Sequence, residues 1–249
     1  MLEGEHHPSK GSYCERLRRA CDGVWQGLKR HPFVREMAAG TLPEEKFRFY
    51  IEQNLFYLPE YAAAIAIGAA KARGVVELAR FAAALTNIVE VELPENRSLL
   101  QRVLERGAAD RGGGLCMAPA TLAYTSFLLA TAFRGGPLEI MTAIMPCAWS
   151  YLDIATEIAD SRTPMDHPIY SHWIAFFAAA AYGDVVDRMR REMEELARGA
   201  PADSFGTLSE IFTMGARLEH GFWDMAYHLL QWPDLVPSAP GAVRGPAHG

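Results

Sequence analysis

Gly40-Thr41-Leu42-Pro43-Glu44-Glu45-Lys46-Phe47 is the stretch whose reading decides the fold class. Thr41 offers a capping hydroxyl, and Pro43 sits early, where its missing N–H costs a helix nothing. Glu44 and Glu45 then complement the positive end of the helix dipole. The residues that follow place Phe47, Tyr50, Ile51, Asn54, Tyr57 and Leu58 on one face, the spacing of an amphipathic helix. Pro59 predicts a kink, and the alanine-rich continuation to Arg73 predicts close helix packing around small residues.

The same period extends in both directions. Leu17, Ala20, Val24, Trp25 and Leu28 recur at helical spacing over residues 13–29, and Pro32 opens a short helix reaching Met37. Downstream, helical pattern covers residues 75–105, with Pro94 as a second kink, then 118–133, 137–159, 167–182, 185–198 and 204–231. No run alternates as a strand would, no internal repeat stands out, and no linker divides the chain. The expected fold is all-α, a multi-helix bundle in one domain spanning residues 11–235. A flexible leader is expected over residues 1–10 and a Pro/Gly-rich tail over 236–249. Residues 107–114 read as a glycine-rich surface loop: they lack a phosphate-loop lysine and precede no strand, which argues against a nucleotide site.

Bulk properties narrow the function classes. The chain has 249 residues, 50% hydrophobic and 22% charged, enough to fill a sizeable core. The net charge is −6 and the basic residues are interspersed with acids, so no nucleic-acid partner is expected. No apolar run approaches the roughly 20 residues that span a bilayer, and the first residues are polar, unlike a signal peptide. Cys14 and Cys21, two turns apart on one helical pattern, are separated by about 10 Å of helical rise, too far for a disulfide. With Cys116 and Cys147 they make no disulfide framework and no zinc-type Cys/His cluster. These features point to a cytoplasmic, reducing environment.

The chemistry concentrates around Met145-Pro146-Cys147-Ala148-Trp149-Ser150-Tyr151. If Pro146 marks a first helical turn, Cys147 lies at a helix N-terminus, where the dipole favours the thiolate. Tyr151 follows one turn later, within reach of the sulfur. A buried cysteine that merely packs is the competing reading. Further polar groups fall on apolar faces. Asn54 and Tyr57 are i, i+3 neighbours, Tyr124 lies among Leu122, Leu128 and Leu129, and Glu219 lies among Leu218, Phe222 and Trp223. Singly, each fits a satisfied core tyrosine or a solvated Glu219–Arg217 pair. Together they supply a nucleophile, a carboxyl group and hydrogen-bond donors in an aromatic box, the parts of a hydrolase site.

A metal site was weighed on Asp224 and His228, which are i, i+4. No Glu-x-x-His pair falls within the helical segments, and His167, before a proline, reads as a capping residue. No metal or other cofactor is therefore expected.

Several blocks carry a resemblance. They are His31-Pro32-Phe33-Val34, Gly40-Thr41-Leu42-Pro43 through Tyr50, Pro146-Cys147-x-Trp149, and His167-Pro168-Ile169-Tyr170 with Trp173-Ile174. The last is Glu219-x-x-Phe222-Trp223-x-Met225-Ala226-Tyr227. In this order, over roughly residues 15–232, the chain resembles the TenA family of thiaminase II type proteins. The resemblance implies a haem-oxygenase-like all-α fold, a homotetramer and no haem or metal. It also implies a small pyrimidine as partner: deamination of aminomethyl-pyrimidine to hydroxymethyl-pyrimidine in thiamin salvage, with possible cleavage of thiamin itself. By the same resemblance Cys147 is the nucleophile that adds to the pyrimidine ring, and Glu219 is the acid/base that protonates the ring nitrogen. Tyr151 orients or activates the thiol, while Tyr57 and Tyr124 line the pocket.

Two positions depart from the family pattern. Asn54 stands where an aspartate is usual, and Phe177 where many members have a tyrosine. Asparagine keeps one acceptor oxygen, loses the charge and adds an NH₂ donor. The expectation is an altered or broadened substrate preference with the nucleophile retained. A pyrimidine-binding or regulatory relative with little turnover, and a metal-dependent oxidative enzyme on the same fold, are the alternatives.

Overall fold

Prolines and caps start the helices. In the computed structural model, which describes residues 11–107, 116–161 and 166–233, α1 (Tyr13–Ala20) opens on a Ser12–Glu15 capping box and α2 covers Asp22–Lys29. Proline is the first residue of α3 (Pro32–Ala38), α7 (Pro119–Arg134), α8 (Pro137–Asp160) and α9 (Pro168–Phe177). Its absent N–H is one of the groups that would have no intrahelical partner at that position. The remaining elements are α4 (Glu44–Ala70), α5 (Val75–Asn87), a π-helical segment (Ile88–Glu92), α6 (Leu93–Glu105), α10 (Ala180–Arg198), a 3₁₀ turn (Ala202–Ser204) and α11 (Phe205–His228). The described residues contain no strand. None of their helices is long and apolar enough to cross a membrane.

Several local expectations are corrected. Thr41 does not cap α4: its hydroxyl turns back to the Glu36 carbonyl, and Pro43 occupies the N-cap without a side-chain bond. Glu44 and Glu45 do fill the first turn. α4 runs through Pro59, as the continuation required, but stops at Ala70 rather than Arg73. Residues 13–29 form two helices because Cys21 leaves helical geometry (φ −110°, ψ 21°), although no glycine or proline marks the break. The pattern expected over 167–182 stops at Phe177, and Tyr182 belongs to α10. Pro94 is the second residue of α6, directly after the π-helical segment. The leader, the tail and nearly all of the 107–114 loop lie outside the described residues.

α4 forms the centre, packed by α5, α6, α7, α8 and α11, and α11 also lies against α2, α3 and α8. Trp25, Tyr50, Phe33, Phe47, Trp173 and Trp223 are fully buried between these helices. Each such side chain contributes about 1.5–3 kcal/mol by leaving water. Two glycines set tight contacts between helices. A Cβ at Gly68 would lie 2.4 Å from the Phe81 ring, and one at Gly215 would lie 2.9 Å from Pro146 Cγ. The second contact brings α8 and α11 together where their polar residues meet.

Candidate active site

Cys147 lies in the middle of α8, ten residues after its first residue Pro137. The expected helix N-terminus is therefore absent, and with it the dipole that would lower the thiol pKa. Burial, followed by the charge of Glu219, pushes the Cys147 thiol well above its ordinary value, and the Tyr57 hydroxyl opposes this. The resting group is the neutral thiol, so a nucleophile here needs a base at the moment of attack.

The carboxyl group beside the thiol is Glu219. It is 2% exposed on α11, which rules out the solvated pair with Arg217. The Tyr124 hydroxyl donates to Glu219 Oε1 at 2.7 Å. Burial pushes the carboxyl up to about 7, while the Tyr124 hydrogen bond and the adjacent Cys147 thiol pull the other way. A carboxyl poised near neutrality can both accept and return a proton.

Aromatic rings surround this pair. Tyr57 on α4 packs against Tyr124 (ring centroids 4.8 Å) and Phe222 (5.8 Å). Its hydroxyl is buried beside the thiol. Tyr151, one turn after Cys147, packs edge-on against Phe177 at 4.9 Å and stacks on Trp223 at 5.3 Å. It does not stand alone. The Trp173 indole N–H donates to the Tyr50 hydroxyl, which donates to the Tyr151 hydroxyl, both at 3.2 Å. Tyr151 therefore accepts from within the core and keeps its own proton to give into the site. Asn54, three residues before Tyr57 on the same helix, donates its amide to Asn96 of α6 at 2.9 Å.

All seven residues singled out in the sequence are thus buried or half-buried around the α4–α7–α8–α9–α11 junction. Four more escaped notice. Tyr50 and Trp173 build the relay, and Tyr182 of α10 packs edge-on against Phe177 at 4.9 Å, close enough to feel the charges of Glu92 and Cys147. Glu92 ends the π-helical segment. Burial pushes its carboxyl up to about 7, Asn87 donates to its Oε1 at 2.9 Å, and its charge reaches Cys147. π-Helical turns often mark functional sites. The alternating Ile88-Val89-Glu90-Val91-Glu92 was the available hint.

Asp224 does not pair with His228. It accepts from His31 Nε2 at 3.0 Å and meets His220 Nδ1 at 3.1 Å, on the side of α11 facing α3. The three ligand-type atoms lie within 4.8 Å of one another. However, His31 Nδ1 already accepts the Phe33 N–H as the cap of α3, so its Nε2 must carry the proton it gives Asp224. A metal-bound histidine instead donates its second ring N–H. The cluster is a clamp between α3 and α11 rather than a metal centre. His167 caps α9 through its ring, as its place before Pro168 suggested.

A family model described as the TENA/THI-4/PQQC family matches residues 18–229. The chain is 32% identical over 221 residues to a protein of Halalkalibacterium halodurans named aminopyrimidine aminohydrolase, covering 89% of this chain and 98% of that one. A Helicobacter pylori protein of the same name is 30% identical, covering 85% and 96%. Among solved structures, a TenA homologue from P. horikoshii OT3 superposes with a TM-score of 0.75 at 30% identity, covering 88% of this chain and 99% of that one.

Proposed function

The chain belongs to the TENA/THI-4/PQQC family, and from that premise we propose that it is a thiamin-salvage hydrolase of the thiaminase II type. It converts an aminomethyl-pyrimidine and water to the hydroxymethyl-pyrimidine and ammonia. The observation that carries this reading is the neutral Cys147 thiol lying beside a buried Glu219 carboxyl whose pKa is about 7.

The chemistry follows from that pair. Ionised Glu219 takes the thiol proton as sulfur bonds to an electron-poor ring carbon, and the displaced electron pair moves to a ring nitrogen. Glu219 returns the proton to that nitrogen, so neither a free thiolate nor a ring anion accumulates. The proton then passes from that nitrogen through Glu219 to the exocyclic amine as electrons returning from the ring expel it as ammonia, leaving an exocyclic methylene. Water adds to that carbon, and loss of the sulfur with its proton restores the aromatic ring and the thiol. Tyr57, Tyr124 and Phe222 hold the ring plane, and the Tyr151 hydroxyl donates to charge that develops beside the sulfur.

The test is ammonia release from 4-amino-5-aminomethyl-2-methylpyrimidine, with thiamin run in parallel. Wild type should turn over the first substrate, and Cys147→Ser should lose turnover while keeping the wild-type Tm. Retained activity in that variant would refute the nucleophile.

A homotetramer in a reducing, cytoplasmic setting accompanies this reading. Val75, Val76 and Leu78 are exposed on α5. They border a largely apolar groove of about 560 Å³ between α5 and α10, a face suited to association. Light scattering on the purified chain measures the assembly directly.

A further inference from the structure

The amides of Asn54 and Asn96 form a chain with one allowed direction. Asn96 Nδ2 donates to the main-chain carbonyl of Glu92 at 2.8 Å. A carbonyl oxygen only accepts, so the Asn96 amide cannot be turned over without setting two acceptors against each other. Its Oδ1 must then face Asn54, which answers with Nδ2 at 2.9 Å. Asn54 Oδ1 is left with no partner among the described residues, and it is not one of the buried polar atoms sealed without a partner. Asn54 shares a face of α4 with Tyr50, four residues before it, and Tyr57, three residues after it. Asn54 and Asn96 are 6% and 2% exposed, so water does not compete freely for either amide.

We propose that Asn96 is a positioning residue that sets substrate specificity. By fixing the Asn54 amide it turns the Asn54 oxygen, not the NH₂, towards the ligand, so the site selects a neutral nitrogen heteroaromatic ring carrying an exocyclic amino donor over its oxo counterpart. This rests on the pyrimidine reading above. It removes the carbonyl-bearing ring that the asparagine NH₂ alone would have permitted. An oxo group brought to the same place sets its oxygen against Asn54 Oδ1, whereas an amino group donates to it. The arrangement also bears on restoring a carboxylate: in Asn54→Asp the new oxygen would face Asn96 Oδ1, so that substitution loses affinity for the amino ring unless the Asn96 amide also turns.

The experiment measures binding of 4-amino-2-methylpyrimidine and 2-methylpyrimidin-4-one by calorimetry to wild type, Asn96→Leu and Asn96→Asp. Neither probe has the leaving group, so neither turns over. Wild type should prefer the amino ring by about 10- to 100-fold, the range expected when a buried acceptor must be matched. Asn96→Leu frees the Asn54 amide to turn and should bring the ratio below about threefold. Asn96→Asp retains the acceptor to which Asn54 donates and should keep the preference. An unchanged ratio in folded Asn96→Leu, or equal weakening of both probes in both variants, overturns the proposal. If wild type binds neither probe, the pyrimidine reading falls, and side-chain amide hydrogen exchange decides the lock by itself. Slow exchange of an Asn54 N–H in wild type that becomes fast in Asn96→Leu supports it, and fast exchange in both overturns it.

Discussion

Pro146 of α8 packs directly onto Gly215 of α11, where a Cβ would lie 2.9 Å from Pro146 Cγ and 3.2 Å from the Ala143 carbonyl oxygen. Cys147 follows the proline, and Glu219 lies one turn after the glycine. This tight contact between the two helices therefore sits beside the two groups proposed to exchange a proton.

Gly215→Ala should consequently impair chemistry more than stability. The added methyl meets a rigid ring and a backbone oxygen, so the helices must separate locally, at a cost of about 1–3 kcal/mol. Thermal unfolding should show a fall of several degrees. Turnover should drop about 10- to 100-fold, because proton transfer and attack depend on placement within about 1 Å. A variant with wild-type kcat and a lowered Tm would show that the contact serves packing only.

The same contact explains what was hidden in the sequence. A proline followed by a cysteine looks like a helix start, and only the glycine 69 positions later, on a different helix, makes room for that proline inside α8. The residue types Cys147, Glu219, Tyr57 and Tyr124 were legible because polar groups on apolar faces need partners. Their ionisation was not, since it depends on burial and on which carboxyl stands opposite. Tyr50, Trp173 and Tyr182 look like ordinary core residues in the chain, and only tertiary contacts give Tyr50 and Trp173 their hydrogen-bond partners and bring Tyr182 onto Phe177. The break at Cys21 carries no local marker, and the π-helical segment ending at Glu92 has only the alternation of residues 88–92. Both belong to long-range packing, as does the His31–Asp224 pair, whose members are 193 positions apart.

Glu219 should lower stability at the pH where it works. Its folded pKa is raised to about 7 from an ordinary 4.5. The folded state therefore holds a proton that the unfolded chain releases, and stability declines as pH rises from about 4.5 to 7. Glu219→Gln removes this loss, so it should be more stable than wild type at pH 8, by at most about 3–4 kcal/mol. At pH 4.5 the two should unfold alike. The same variant should lose about 10²- to 10⁴-fold in kcat, the usual worth of a general acid/base. Equal Tm values at pH 8 would place the carboxyl pKa near that of the unfolded chain.

Tyr124→Phe should move the pH profile. The Tyr124 hydroxyl stabilises the ionised Glu219 carboxylate, so its removal raises the carboxyl pKa further. The acid limb of kcat/KM, where the base must be ionised, should shift to higher pH. A pH–rate profile from 5 to 9 measures this, and an unmoved limb would separate Glu219 from the ionisation that governs rate.

The His31–Asp224–His220 clamp should make the protein acid-sensitive. Burial holds the His31 pKa below its ordinary 6.5, outweighing the Asp224 hydrogen bond that would raise it. The neutral ring therefore favours the folded state. That contribution is complete above the unfolded pKa and drains as pH falls from about 6.5 through the folded value. Asp224 acts in the same direction at lower pH: burial opposes its ionisation, but the His31 hydrogen bond and the charges of His220 and His31 keep its pKa below 3.8. Denaturant unfolding at pH 7 and pH 5 should show a larger loss for wild type than for His31→Asn, which still caps α3 but does not titrate.

The relay through Tyr50 predicts non-additive kinetics. Tyr50→Phe leaves the Trp173 N–H without an acceptor and removes the donor that holds the Tyr151 oxygen. Tyr151 can then turn its proton inward, away from the sulfur. Tyr151→Phe removes the same proton outright. Each single variant should lower kcat by about 10-fold, the worth of one hydrogen bond to a developing charge. If Tyr50 acts only by directing Tyr151, the double variant should be no slower than the worse single one, giving a coupling of about 1 kcal/mol or more. Losses that simply multiply would mean that Tyr50 and Tyr151 act separately, leaving the Trp173–Tyr50 hydrogen bond as part of the packing alone.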